Sequence, residues 1–162
     1  MGITQFSHFG ICVSDLERSL AFYRDCLGFT EQYGLEFGPR FGPVMELDGV
    51  RGRSVFLTRD GVRIELLAYD HPEVIGSADR RPMNRLGMTH IGLRVRDLAA
   101  TVASLRTAGV KILDGTHLAV KDAAGREPGQ WIFVCDPDGV RVELIELPDG
   151  FVASLDDSPS SA

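Results

Sequence analysis

The sequence lacks any strong basic cluster, and the longest run of positive charge is the pair Arg80-Arg81. Grip on nucleic acid phosphates needs a basic stripe, and a net charge of −6 works against one, so nucleic acid is excluded as the expected partner. Cysteine is scarce. The three thiols, Cys12, Cys26 and Cys135, are odd in number, widely spaced and free of any Cys-x-x-Cys, which suits reduced thiols rather than disulfides or a zinc knuckle. No apolar run approaches the ~18 residues of a membrane span. The opening Met1-Gly2-Ile3-Thr4-Gln5 lacks the basic-then-apolar order of a secretory signal, so the default expectation is a cytoplasmic protein with no membrane partner. What is present is an ordinary globular composition, 44% hydrophobic and 25% charged over 162 residues. That is about one domain, enough to bury a core, with a small molecule as the expected partner.

The chain repeats itself. His8-Phe9-Gly10-Ile11-Cys12-Val13-Ser14-Asp15-Leu16 aligns with His90-Ile91-Gly92-Leu93-Arg94-Val95-Arg96-Asp97-Leu98 at an offset of 82. Asp60-Gly61-Val62-Arg63-Ile64-Glu65-Leu66-Leu67 aligns with Asp138-Gly139-Val140-Arg141-Val142-Glu143-Leu144-Ile145 at an offset of 78. The same parts in the same order mean two copies of one unit. Residues 3–70 are read as the first module and 86–147 as the second, joined by a polar linker over 71–85 that carries Pro72, Gly76 and Pro82. Residues 148–162 read as a flexible C-terminal tail ending in Asp156-Asp157-Ser158-Pro159.

Each module opens with a strand and passes into a helix. Phe9, Ile11 and Val13 alternate with His8, Gly10 and Cys12, so His8 points away from the apolar face. Ser14 with Glu17 makes a capping-box pattern, and Leu16, Leu20, Tyr23 and Leu27 recur at helical spacing up to Gly28, predicting a helix over 15–27. Asp97 as N-cap, a stripe of Leu98, Val102 and Leu105, and Gly109 as stop predict its counterpart. Two hairpins follow. Ser54–Arg59 and Val62–Tyr69 flank Asp60-Gly61, and Trp131–Cys135 and Val140–Leu147 flank Asp138-Gly139. Further strands are expected at Pro43–Leu47 and Leu113–Val120, while Gly34–Gly42 and Lys121–Gln130 read as mobile loops. The fold expected is α+β, two βαβββ modules.

Superposing the copies pairs His8 with His90 and Glu65 with Glu143. Each glutamate sits mid-strand among large apolar residues. Taken singly, each of the four fits the solvent face of an amphipathic sheet. Jointly, two imidazoles and two carboxylates at equivalent positions make a site for a divalent metal, with room for water or substrate on Fe, Mn, Co, Ni, Zn or Mg. His71 and His117 have no partner in the repeat and read as surface imidazoles. Arg63 and Arg141 recur with the glutamates, able to pair with protein acids or with a substrate carboxylate or phosphate. Phe22, Tyr23 and Phe29 read as helix packing, and Trp131 is a candidate for lining a binding cavity.

These residues resemble the vicinal oxygen chelate superfamily, which includes glyoxalase I, methylmalonyl-CoA epimerase, extradiol dioxygenases and the bleomycin and fosfomycin resistance proteins. The likeness runs from residue 6 to 147. It lies in the His8-x-Gly-x-x-Val-x-Asp-Leu opening, the Ser19-x-x-Phe22-Tyr23-x-x-x-Leu27-Gly28-Phe29 continuation, the His90 opening and the Asp136-Pro137-Asp138-Gly139-x-x-x-Glu143-Leu144 ending. The resemblance implies modules joined into an open eight-stranded barrel-like sheet, with a metal chelating two neighbouring substrate oxygens. The ligand pattern His8, Glu65, His90, Glu143 is similar to that of microbial glyoxalase I and the epimerases. It implies proton transfer beside a carbonyl through a metal-stabilised enediolate, Glu65 or Glu143 acting as base and then acid. A homodimer is expected. Two alternatives stay open: an Fe(II) ring-cleaving dioxygenase, against which Glu65 argues, and a non-enzymatic sequestering protein, against which the ligands argue. No glutathione or coenzyme A contact is recognisable.

Overall fold

The computed structural model describes residues 2–121 and 129–148. The loop expected at Lys121–Gln130 and the tail expected from 148 fall almost wholly outside the described residues. The chain divides into two units, Met1–Ala78 and Asp79–Ala162. The first contains strands β1 (Phe9–Val13), β2 (Thr30–Phe37), β3 (Arg51–Arg59) and β4 (Val62–His71), hydrogen-bonded in the order β1-β4-β3-β2. The second contains β5 (Ile91–Arg94), β6 (Lys111–Val120), β7 (Gly129–Cys135) and β8 (Arg141–Glu146), in the equivalent order β5-β8-β7-β6. This is the α+β class with a βαβββ module in each half.

In both units the first strand pairs parallel with the last, and the remaining pairs are antiparallel. Strand alternation then gives every sheet two unlike faces. Val55, Leu57, Ile64 and Leu66 are buried beside α1 (Leu16–Leu20) and a π-helical continuation over Ala21–Cys26, with Leu16, Leu20, Phe22 and Tyr23 buried as well. In the second unit Ile132, Val134, Val142 and Leu144 are buried with Leu98 and Leu105 of α3 (Leu98–Thr107). Burying a Leu or Ile of this size stabilises by about 1.5–3 kcal/mol each, so the helix face is where the modules gain their stability. The opposite face carries the histidines and glutamates among further apolar side chains.

The helix ends follow from local chemistry. Asp15, not Ser14, is the first N-cap: its carboxylate accepts from the Arg18 backbone N–H at 3.0 Å. Asp97 does the same for Ala100 at 2.8 Å. The helix begins one residue later than the Ser14 pattern implies, because Leu16 must reach the core and Asp15 is then the side chain one step before it. Glu146 of β8 also accepts from the Leu98 N–H at 2.7 Å, fastening α3 to its sheet. Gly28 (φ 70°) and Gly109 (φ 80°) take the left-handed turn that ends each helical segment.

Two expectations fail here. Gly34 lies inside β2 rather than opening a loop, because Tyr33, Leu35 and Phe37 alternate through it and Gly34 pairs with Val55. Pro43–Leu47 is no strand: Pro39–Phe41 is a 3₁₀ turn and Gly42–Met45 a short helix, α2, with Pro in its first turn, where the missing N–H costs nothing. Among the described residues, no helix is long and apolar enough to cross a membrane.

Candidate metal-binding residues

In the first unit the helix-free face of the sheet carries His8, Gly10 and Cys12 from the β1 segment, and Arg63, Glu65, Leu67 and Tyr69 from β4. Glu65 pairs in register with Gly10 on one side and Phe56 on the other. The His8 Nε2 and Glu65 Oε2 atoms stand 3.1 Å apart. The second unit repeats this: Glu143 pairs with Gly92 and Phe133, and His90 Nε2 lies 3.4 Å from Glu143 Oε2. The imidazoles are about one-third exposed, at 33% and 30%, and the carboxylates less, at 15% and 19%, so each acid sits deeper than its histidine. Within each unit, among the described residues, no third His, Cys, Asp or Glu joins the pair. Each unit carries one such His–Glu pair.

The donor spacing fits a metal. Adjacent ligands on an octahedral ion with bonds of about 2.1 Å lie about 3 Å apart. The glycines matter to the same space. A Cβ on Gly92 would come 3.7 Å from Glu143 Oε2, and one on Gly10 would press to 3.3 Å against Leu67 Cδ1. Gly10 therefore leaves room for the Leu67 side chain, and Gly92 leaves open space next to the Glu143 carboxylate.

Four further residues hold these donors, again in repeat register. The Phe56 ring meets the His8 ring edge-on at 5.1 Å between centroids, and Phe133 meets His90 edge-on at 5.3 Å. The Ser7 hydroxyl lies 2.9 Å from His8 Nδ1, and the Thr89 hydroxyl 2.9 Å from His90 Nδ1. A hydroxyl both donates and accepts. It can donate to Nδ1 while Nε2–H faces the glutamate, and accept from Nδ1–H once the Nε2 lone pair is wanted by a metal. Sequence reasoning passed over these four. The signal was available: Ser7 and Thr89 share the offset of 82 with their histidines, and Phe56 and Phe133 precede the two Asp-Gly turns.

The other sequence candidates divide. His71 ends β4, and His117 lies 3.1 Å from the Gln130 side chain, so neither joins a half-site. Trp131 pairs with Ile145, two residues beyond Glu143 on the same face. Tyr69 is four residues beyond Glu65 on its face. Burial pushes its hydroxyl pKa up, and the nearby Cys12 and Glu65 charges add to that. Phe22, Tyr23 and Phe29 are buried as expected of helix packing.

With this geometry in view, comparison with known proteins decides the family. The model of the glyoxalase/bleomycin resistance protein/dioxygenase superfamily matches residues 5–144. The chain belongs to this superfamily. Among curated relatives, an ethylmalonyl-CoA/methylmalonyl-CoA epimerase of Cereibacter sphaeroides is 29% identical, over 90% of this chain and 99% of its own. A lactoylglutathione lyase of Haemophilus influenzae is 28% identical, over 88% of this chain and 92% of its own. Among solved structures, a glyoxalase family protein from Bacillus cereus superposes with a TM-score of 0.76 at 20% identity, covering 90% of this chain and 95% of that one. That likeness is one of fold. Superfamily membership accounts for the repeated module.

Proposed function

We propose that the protein is a divalent-metal-dependent lyase or isomerase of the glyoxalase I or epimerase type. In this reading His8, Glu65, His90 and Glu143 together hold the ion, whether the two modules come from one chain or from two copies in a homodimer. The carrying observation is that Glu65 stands to His8 as Glu143 stands to His90, at 3.1 and 3.4 Å. A ring-cleaving oxygenase needs only three protein ligands, so a second equivalent carboxylate favours proton transfer. The relatives named as epimerases and as a lactoylglutathione lyase support the same reading.

The ion would supply positive charge at a carbonyl oxygen, making the neighbouring C–H more acidic. The protein's own groups do the rest. Glu65 or Glu143 takes the proton from the carbon beside the carbonyl and returns it, to the same carbon in an epimerisation or to the neighbouring one in an isomerisation. The histidines keep their rings fixed through Phe56 and Phe133 and through the Ser7 and Thr89 hydroxyls. The substrate class is a 2-oxo or 2-hydroxy acyl compound, hemithioacetals and thioesters included.

The test is the metal content of wild-type protein against a His8→Ala, Glu143→Ala double variant, each at equal folded concentration. Wild type is expected to retain a divalent ion and the variant to lose it. Equal content in both overturns the proposal. Assays with methylglyoxal plus several thiols, and with acyl-CoA epimers, then separate the lyase from the epimerase.

A further inference from the structure

Arg141 lies two residues before Glu143 on β8, so both stand on the face of the second sheet that carries His90. Strand register sets its neighbours. Cys135 of β7 pairs with Arg141, and Lys111 of β6 pairs with Cys135, so Lys111, Cys135 and Arg141 make one row across three strands of that face. His90, one step before the Ile91–Val142 pair, comes level with Arg141 at the end of the row. The next row holds Leu113, Phe133, Glu143 and Gly92, two residues away along the strands, about 7 Å. Lys111 and Arg141 are two strand spacings apart, about 10 Å at the backbone, a gap that side chains of this length can close around a small anion.

A third cation reaches the same place. Burial pushes the Cys135 thiol pKa up, while Arg80, Lys111 and Arg141 each pull it down, every one of them more strongly than Asp136 opposes. Three cations of the second unit are thus gathered about one sulfur atom. None of them has a carboxylate within ion-pair distance among the described residues, unlike Arg24 with Asp25 and Glu31, Arg59 with Asp60, or Arg106 with Asp114. The matching row of the first sheet is Thr30, Thr58 and Arg63, level with His8, and holds a single cation.

The charges around the row do not cancel it. On this face and in the turn beside it, the four cations Arg80, Arg94, Lys111 and Arg141 stand against the three acids Glu143, Asp136 and Asp138, in a chain of net charge −6. The buried Asp136 carboxylate accepts from the Asp138 N–H at 2.9 Å and the Val140 N–H at 2.7 Å, and Glu143 faces His90 at 3.4 Å. Arg94 lies in the row beyond Glu143, opposite Ile145, and donates to the Leu147 carbonyl at 3.1 Å, so it stands apart from the cluster. Asp114 and Glu146 fall on the helix face, where Asp114 meets Arg106 and Glu146 accepts from the Leu98 N–H. A divalent ion at the proposed ligands adds further positive charge. Charges that converge on one point suit a compact oxyanion, whereas a polyanion needs a stripe, and the arginine fork matches carboxylate or phosphate.

We infer that Arg80, Lys111 and Arg141 form an oxyanion subsite of the second unit, which receives a carboxylate or phosphate that the substrate carries apart from its chelating oxygens. This rests on the proposed metal-dependent function, and the experiment keeps the two apart. Wild type, Arg63→Gln, the pair Arg80→Gln with Lys111→Gln, and the triple variant that adds Arg141→Gln are loaded with metal and checked for metal content and melting temperature. They are then titrated calorimetrically with succinic acid monohydroxamate, which ends in a carboxylate, and butanohydroxamate, which ends in a methyl group. Both chelate through vicinal oxygens.

Wild type is expected to bind the carboxylate-ended probe roughly tenfold tighter, the scale of one charge-assisted contact in a partly buried site, and the preference should shrink as salt is raised. The triple variant should lose it while keeping its metal and its affinity for butanohydroxamate. The double variant, changed only at exposed positions, should lose part of it, and Arg63→Gln should keep it. A wild type without preference, a preference that survives in the double and triple variants, or one abolished by Arg63→Gln overturns the inference, while butanohydroxamate binding leaves the metal function standing. A wild type that takes up no metal overturns that function and the inference with it.

Discussion

Removing the Ser7 and Thr89 hydroxyls tests whether the histidines are held ready for a metal. Each hydroxyl lies 2.9 Å from an Nδ1 and is exposed, so each contact belongs to the lower half of the range for a single hydrogen bond. At about 0.5–1 kcal/mol each, losing one should weaken metal binding roughly two- to fivefold. The two contacts sit in separate half-sites and share no partner, so Ser7→Ala with Thr89→Ala should weaken it about four- to 25-fold, around the lower end of the roughly 10–100-fold range for residues that orient metal ligands. The measurement is competition against a chromophoric chelator of known affinity, with thermal unfolding of the metal-free protein alongside. The melting temperature should hold, since surface contacts of this size move global stability little. Ser7→Thr and Thr89→Ser, which keep the hydroxyl, should restore affinity. Unchanged affinity in the double alanine variant would refute the argument that these hydroxyls position the rings, and so would a loss that the conservative variants fail to rescue.

Other expectations follow from the core and the caps. Leu144 is 1% exposed on the helix face of β8, so Leu144→Ala should destabilise by about 2–5 kcal/mol in urea unfolding, and a loss below 1 would contradict its burial. Asp97→Ala removes the cap on Ala100 N and should cost about 1 kcal/mol, with Asp97→Ser recovering most of it. The thiols should differ in reactivity. Cys12 is exposed, whereas burial raises the pKa of both Cys26 and Cys135, so at pH 8 less of either is thiolate. Alkylation with iodoacetamide followed by mass mapping should find Cys12 first and Cys135 last, and early labelling of Cys135 would be inconsistent with the fold.

The parts legible in the sequence were those tied to a repeated motif. The hairpins at Asp60-Gly61 and Asp138-Gly139, both helices, and the recurrence of His8 as His90 and of Glu65 as Glu143 all stood at matching offsets. What escaped lacked such a marker. β2 is an edge strand, and its residues Thr30–Glu36 are all exposed, so it carries the alternation of Tyr33, Leu35 and Phe37 without a buried stripe. Gly34, read as punctuation, sits where Ser54 and Val55 approach closely. Pro43 and Val44 looked like a strand by composition, but Val44 is 77% exposed and Pro43 starts a helical turn. Ser7 and Thr89 went unnoticed because hydroxyl residues beside histidine are common, and their role depends on a ring orientation that only coordinates give.

The two halves are alike in their ligands and unlike in their walls. Beside Phe56 stands Tyr33, stacked on it at 4.6 Å. Opposite Phe133, β6 slips in register between Leu113 and Leu118, and no stacked aromatic ring is seen there among the described residues. A duplicated gene was free to make its copies differ, as an assembly of identical single modules could not. A molecule at the His8–Glu65 pair would lie against a stacked pair of rings, and one at the His90–Glu143 pair would lie against Phe133 beside an irregular strand.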